Sequence, residues 1–251
     1  MSALPLHAPK ASPADAFPLP RPAYSLADFA RMLEFGDSML PIGAFASSGA
    51  LESAVQKGVV HDADTLRRFT ATALEQAAKG DAVGLAWAVR AARLRDWSRL
   101  EDVDAAIHCR KLSEEARLMS TRMGKKMLEM CVEIMGTEGL LPWLERIRAH
   151  QTPGMFPVSL GLAFAHMGLS LDQALVTHQY GIAVTVLNAA LRLMRVTHLD
   201  TQRILFGLTA DFDRQCATAS SMELGQMSSY VPMTDILGSV HVKAHVRLFM
   251  S

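Results

Sequence analysis

The chain has 251 residues, half of them hydrophobic and a fifth charged, enough for one large core or two small ones. Its 25 basic and 25 acidic side chains cancel, which excludes a global pull toward nucleic acid or an anionic membrane and favours association with other proteins. Cys109, Cys131 and Cys216 stand far apart with no C-x-x-C pair, which argues against a disulfide framework or a closed zinc site and fits reduced thiols in the cytoplasm.

Residues 1–23 read as a flexible tail. Six of the eleven prolines fall in the first 22 residues, removing backbone donors and fixing φ, and no signal-peptide h-region is visible there. An ordered domain is expected over 24–251. Ser25 is placed to cap a helix from Leu26 to about Phe35, with Leu26, Phe29, Ala30 and Leu33 at helical spacing. Pro41 and Gly43 stop it, and Ser47 or Ser48 can cap the next helix. From Asp64 a face of Leu66, Phe69, Thr70 and Ala73 restores the helical period. Residues 81–95 form an alanine-rich helix ending in arginines, which suit the negative end of its dipole. The clearest pattern runs from about 104 to 130, where Leu112, Ala116, Met119, Met123, Met127 and Met130 recur at steps of three and four. Gly136 and Gly139 mark a loop, Pro142 fits the first turn of a short helix, and Pro153, Gly154 and Pro157 make another break. Apolar runs at 158–169 and 173–194 follow, separated by a turn at 168–170. Two short helices are expected at 201–208 and 212–224, and Asp235 can cap a last one that carries the C-terminus.

No alternating strand pattern and no fixed-period repeat occurs. The fold class is therefore all-α, a single-domain helical bundle around one nearly all-apolar helix near 173–194. That helix carries Gln173, Thr177, His178, Gln179 and Asn188. It is too polar for a membrane span and reads as the buried helix of a soluble protein.

The motifs of common enzymes are missing: no P-loop, no G-x-G-x-x-G after a strand, no H-E-x-x-H and no G-x-S-x-G. Of the nine histidines, His241 and His245 form the best pair, since i and i+4 share a helix face and imidazole suits nickel. Two imidazoles alone bind weakly, because a stable site generally needs more protein ligands. The methionine stripe at 119, 123, 127 and 130 reads as core filler before thioether ligation. Lys111 with Glu114, Glu115 and Arg117 can be a carboxylate site. Solvated pairing of Lys111 with Glu114 and Glu115 at i,i+3 and i,i+4 is the simpler account.

Two stretches resemble the urease accessory protein F family. Asp37, Ser38, Pro41, Ile42, Gly43, Phe45, Ser48, Leu51 and Glu52 follow its pattern D-S-x-x-P-[IV]-G-[GS]-[FY]-x-H-S-x-G-L-E. The final Arg247, Leu248, Phe249, Met250 and Ser251 follow its R-L-[FY]-x-S. Between them, Glu115, Arg117, Ser120 and Gly124 match a weaker E-x-R-x-x-S-x-x-x-G element. Ser47 stands where the family has histidine, Ala50 where glycine is usual, and Val242 follows His241 where a His-Glu pair is common.

The resemblance implies an all-α homodimer without catalytic activity or a resident cofactor. It would bridge a second accessory protein (D or H) and the GTPase accessory protein G on apo-urease, with Ni²⁺ passing through transiently. It places partner contacts at Pro41, Gly43, Phe45, Glu52, Glu115, Arg117, Arg247, Leu248, Phe249 and Ser251. Phe45 is expected to organise the loop where the dimer and its neighbours meet, with Glu52 holding that loop. The apolar C-terminal residues are expected to dock on the D/H protein. Two other readings stand beside it: an all-α enzyme using Glu115 and His178 in an internal cavity, and a helical adaptor unrelated to urease.

Overall fold

The computed structural model describes residues 25–37, 39–44, 48, 50–136, 139–228, 231, 233 and 236–238. Among them stand eleven α-helices and no strand. They are α1 (Leu26–Gly36), α2 (Leu51–Gln56), α3 (Ala63–Lys79), α4 (Asp81–Leu94), α5 (Trp97–Arg110), α6 (Glu114–Met135), α7 (Leu141–Arg148), α8 (Phe156–His166), α9 (Leu171–Leu193), α10 (His198–Thr209) and α11 (Phe212–Ser221). Local chemistry sets most of their starts. Ser25, Asp62, Ser170 and Thr197 close capping boxes on α1, α3, α9 and α10, satisfying amide donors that have no partner within the helix. Pro142 and Pro157 sit in the first turns of α7 and α8, where a missing N–H does no harm.

The periodic stretch from 104 to 130 is not one helix. α5 ends at Arg110, and Ser113 caps α6, its side chain accepting from the Ala116 N–H at 3.4 Å. Neither glycine nor proline marks this corner. The Arg117 guanidinium holds it instead, donating to the carbonyls of Lys111 at 2.5 Å and Leu112 at 3.1 Å. Leu112, counted in the apolar stripe, is exposed as a result. Met119 and Met127 are buried and Met123 and Met130 pack half-buried against the core, the filler role expected of them.

Two apolar cores form. Leu85, Leu100, Ile107, Leu128, Trp143 and Phe164 build one from α4 to α8. Leu51, Leu66, Leu74, Leu187 and Ile204 build the other from α2, α3, α9 and α10. Each fully buried side chain of this size stabilises the fold by about 1.5–3 kcal/mol relative to exposure. α9 contributes Ala174 and Leu175 to the first core and Ala183, Val186 and Leu187 to the second, so it joins them. It packs against α1, α2, α3, α4, α8, α10 and α11, the central position expected of it. Among the described residues α9 is the one helix long and apolar enough to cross a membrane, and over half of that window is buried inside the fold.

α1 departs from expectation. Its spaced apolar residues do not face the core: Leu26 is 80% exposed, Leu33 68% and Phe29 37%. Only Phe35 is buried on this helix.

Candidate functional site

The segment between α1 and α2 is built from its own motif residues. The Asp37 carboxylate accepts the Met39 N–H at 2.8 Å and closes the turn after α1. Pro41 and Gly43 lie at the surface, Gly43 at φ +92°, while Ile42 between them is buried. Ser47 lies outside the described residues, and Ser48 meets the start of α2 through its carbonyl, which accepts the Leu51 N–H at 3.1 Å, and its hydroxyl, which accepts the Glu52 N–H at 3.5 Å. The N-cap position belongs to Ala50, in the left-handed region at φ 68°. Glu52 is 2% exposed in the first turn of α2, where the positive end of the helix dipole favours a carboxylate.

This segment forms one wall of a cleft of about 330 Å³. α6 supplies Met119 and Met123, α8 supplies Phe156, and α9 supplies Thr177, His178 and Ile182. Asp81 and Lys111 form its polar end, with Lys111 Nζ 2.6 Å from the Asp81 carboxylate. Lys111 therefore pairs across 30 residues of chain, and not with Glu114 or Glu115 as the helical spacing suggested. The corner at 111–113 takes it off their helix face. Burial pushes the Asp81 carboxyl up, but the Lys111 ammonium, with His178 beside it, outweighs this and holds it below the usual carboxylate range. Burial pulls His178 down to about 4, only partly opposed by Asp81, so its imidazole is neutral at neutral pH. His178 stacks on Phe156, ring centroids 6.5 Å apart.

The middle motif element has a structural account. Arg117 fixes the α5–α6 corner. The Ser120 hydroxyl accepts the Phe156 N–H at 3.1 Å. Gly124 lies so close to the start of α8 that an added Cβ would come within 2.1 Å of the Gly154 carbonyl oxygen. The same turn is held from the other side by Asp104, a fully buried carboxylate. It accepts from the Thr152 hydroxyl at 2.5 Å and the Gly154 and Met155 N–H groups at 2.6 and 2.7 Å. Burial pushes this carboxyl up, against the pull of those three donors. Asp104 was missed in the sequence because its partners lie about fifty residues away. Glu115 is half-buried on the first turn of α6 and is not part of the cleft wall. The cleft thus does not bring Glu115 and His178 together.

Phe45, His241, His245, Arg247, Leu248, Phe249 and Ser251 lie outside the described residues. Among the described residues no three histidine, cysteine, aspartate or glutamate side chains gather to hold a metal ion.

A family model described as UreF matches residues 60–209. The urease accessory proteins UreF of Yersinia pestis (strain Pestoides F) and Yersinia pseudotuberculosis serotype I (strain IP32953) are each 49% identical over 222 residues, covering 88% of this chain and 97% of theirs. The same figures describe the urease accessory protein UreF of Yersinia enterocolitica serotype O:8 / biotype 1B. These relatives are named as accessory proteins and not as enzymes, which sets aside the reading of Glu115 and His178 as a catalytic pair and that of an adaptor unrelated to urease. With more than half of its length matched by the family model and close similarity to these relatives over most of the rest, the chain belongs to the UreF family of urease accessory proteins.

Proposed function

We propose that this chain is a soluble, cytoplasmic, non-catalytic scaffold for nickel delivery to urease. It works as a homodimer, bridges the D/H accessory protein to the GTPase G, and docks with them on apo-urease. Ni²⁺ is cargo that passes through transiently. A scaffold of this kind acts on the GTPase by binding one nucleotide state better than the other, which shifts its population.

The observation that carries the reading, beside family membership, is the outward apolar stripe of α1. A contiguous exposed apolar face marks a protein contact, and a second copy offers a self-complementary partner around a two-fold axis. Phe45, which follows Pro41 and Gly43 in the sequence, is assigned to the same contact. Arg247, Leu248, Phe249 and Ser251 dock on the D/H protein.

Co-expression with candidate D/H and G proteins, followed by mass measurement on size exclusion, tests the bridge. One complex containing all three chains is expected. Deleting 242–251 should abolish binding of D/H while leaving the far-UV helical signal intact. Unchanged affinity of the truncated chain for D/H would remove the tail from the interface.

A further inference from the structure

The cleft between α6 and α9 has features that a scaffold does not require. Its volume of about 330 Å³ is in the range of sites that enclose a small molecule. Its walls are mainly apolar, with Phe35, Ile42, Met119, Met123 and Ile182 among them. At its polar end the His178 ring is 4% exposed, and its Nδ1 has no hydrogen-bond partner among the described residues. A buried polar atom left unpaired is costly enough that such groups are normally satisfied by protein, water or ligand. The neighbouring Asp81 and Lys111 neutralise each other, His178 carries no charge at neutral pH, and the other two charged side chains of the wall, Asp37 and Arg192, are opposite in sign and exposed, so the lining is neutral overall.

We propose that this cleft binds a neutral amphipathic small molecule, its hydrogen-bonding head on His178 and the Asp81–Lys111 pair and its hydrocarbon body against α6 and α9. The charge balance selects the head. A charged head would leave one uncompensated charge in a partly buried, apolar site, whereas an amide or hydroxyl satisfies the imidazole and leaves the ion pair intact. The apolar walls select the body. This site goes beyond the scaffold reading and does not depend on it.

Gly181 provides a clean test. It lines the cleft in the middle of α9, and a Cβ built there meets nothing within 4 Å among the described residues. Gly181→Leu should fill the space without a clash and with better helix propensity than glycine. Titration calorimetry of the full chain with octanamide, octanoate and octylamine at pH 7 reads the head preference. Octanamide should saturate at one per chain, and the two charged probes should bind about tenfold more weakly or worse. Gly181→Leu should abolish octanamide binding with its thermal midpoint unchanged or raised. His178→Leu should weaken octanamide about tenfold, the worth of one hydrogen bond. The proposal is overturned by absence of saturable octanamide binding, by equal binding of the charged probes, or by full binding to Gly181→Leu. A lowered midpoint for Gly181→Leu would mean that the space is already filled, with the same consequence. Loss of D/H or G recruitment by Gly181→Leu, with no probe bound, would make the cleft a protein interface instead.

Discussion

α1 and α8 are both eleven residues long, and both carry enough apolar side chains to join a core. α8 is buried from Pro157 to Phe164 without interruption. α1 buries Phe35 and leaves Leu26, Phe29 and Leu33 exposed. Phe35 lies two positions beyond Leu33, roughly 200° around the helix, so the buried and exposed apolar groups occupy opposite sides. A helix that is apolar all round has nowhere to go but its own core. A helix with an apolar stripe has a choice, and here the stripe faces away from the chain that carries it. The lesson is that an amphipathic pattern specifies burial without specifying which molecule provides it.

The largest effect should come from the α8 side. Gly124→Ala drives a methyl group into the backbone at 154–156, which Asp104 and Ser120 hold in place. No side chain can swing away there, so the loss should be about 3 kcal/mol. Urea unfolding would read it, and a midpoint within error of the parent would show that this approach is looser than the geometry says.

His178, on α9 between the two regions, should make stability depend on pH. Its pKa is about 4 in the fold against an ordinary 6.5, so between those values the unfolded chain binds a proton that the folded chain refuses. Its contribution is fully present above pH 6.5 and is lost as pH falls toward 4, by up to about 3 kcal/mol. Unfolding curves at several pH values should show His178→Leu with a flatter acid limb than the parent. Parallel limbs would remove His178 as the cause.

A smaller effect of opposite sign is expected where α1 hands over to α2. Ala50 holds φ 68°, in the region that glycine enters without penalty. Ala50→Gly should therefore stabilise the chain by about 1 kcal/mol, measured as a raised thermal midpoint. A fall would mean that the lost methyl contact outweighs the relief of strain.

The smallest effect on folding should come from the α1 stripe itself. Leu33→Ser should change stability by no more than about 0.5 kcal/mol, as for other exposed positions. It should nevertheless shift the mass on size exclusion from dimer toward monomer. Dimer persisting in this variant would move the interface elsewhere.

Much of the fold was legible because it rests on local chemistry. Ser25 and Pro142 announce helix starts through interactions within one turn, and these need no knowledge of the rest of the chain, whereas Pro157 and Ser170, read as a break and a turn, prove to open α8 and α9. The long apolar run of α9 likewise announced a central helix. The candidate site was legible only in part. The motif at 37–52 located one wall of the cleft, but Asp81 and Lys111 gave no sign of each other.

By itself the sequence determined the helical class, most of the helix starts and the central place of α9, since spacing and capping act over three or four residues. Tertiary structure decided the corner at 111–113, where an arginine claims two carbonyls, and the pairing of Lys111 with Asp81. It also decided that Asp104 and Gly124 would hold the start of α8, and that the stripe of α1 would face outward. These depend on which surfaces meet after the chain has collapsed, and residue spacing carries no information about that distance.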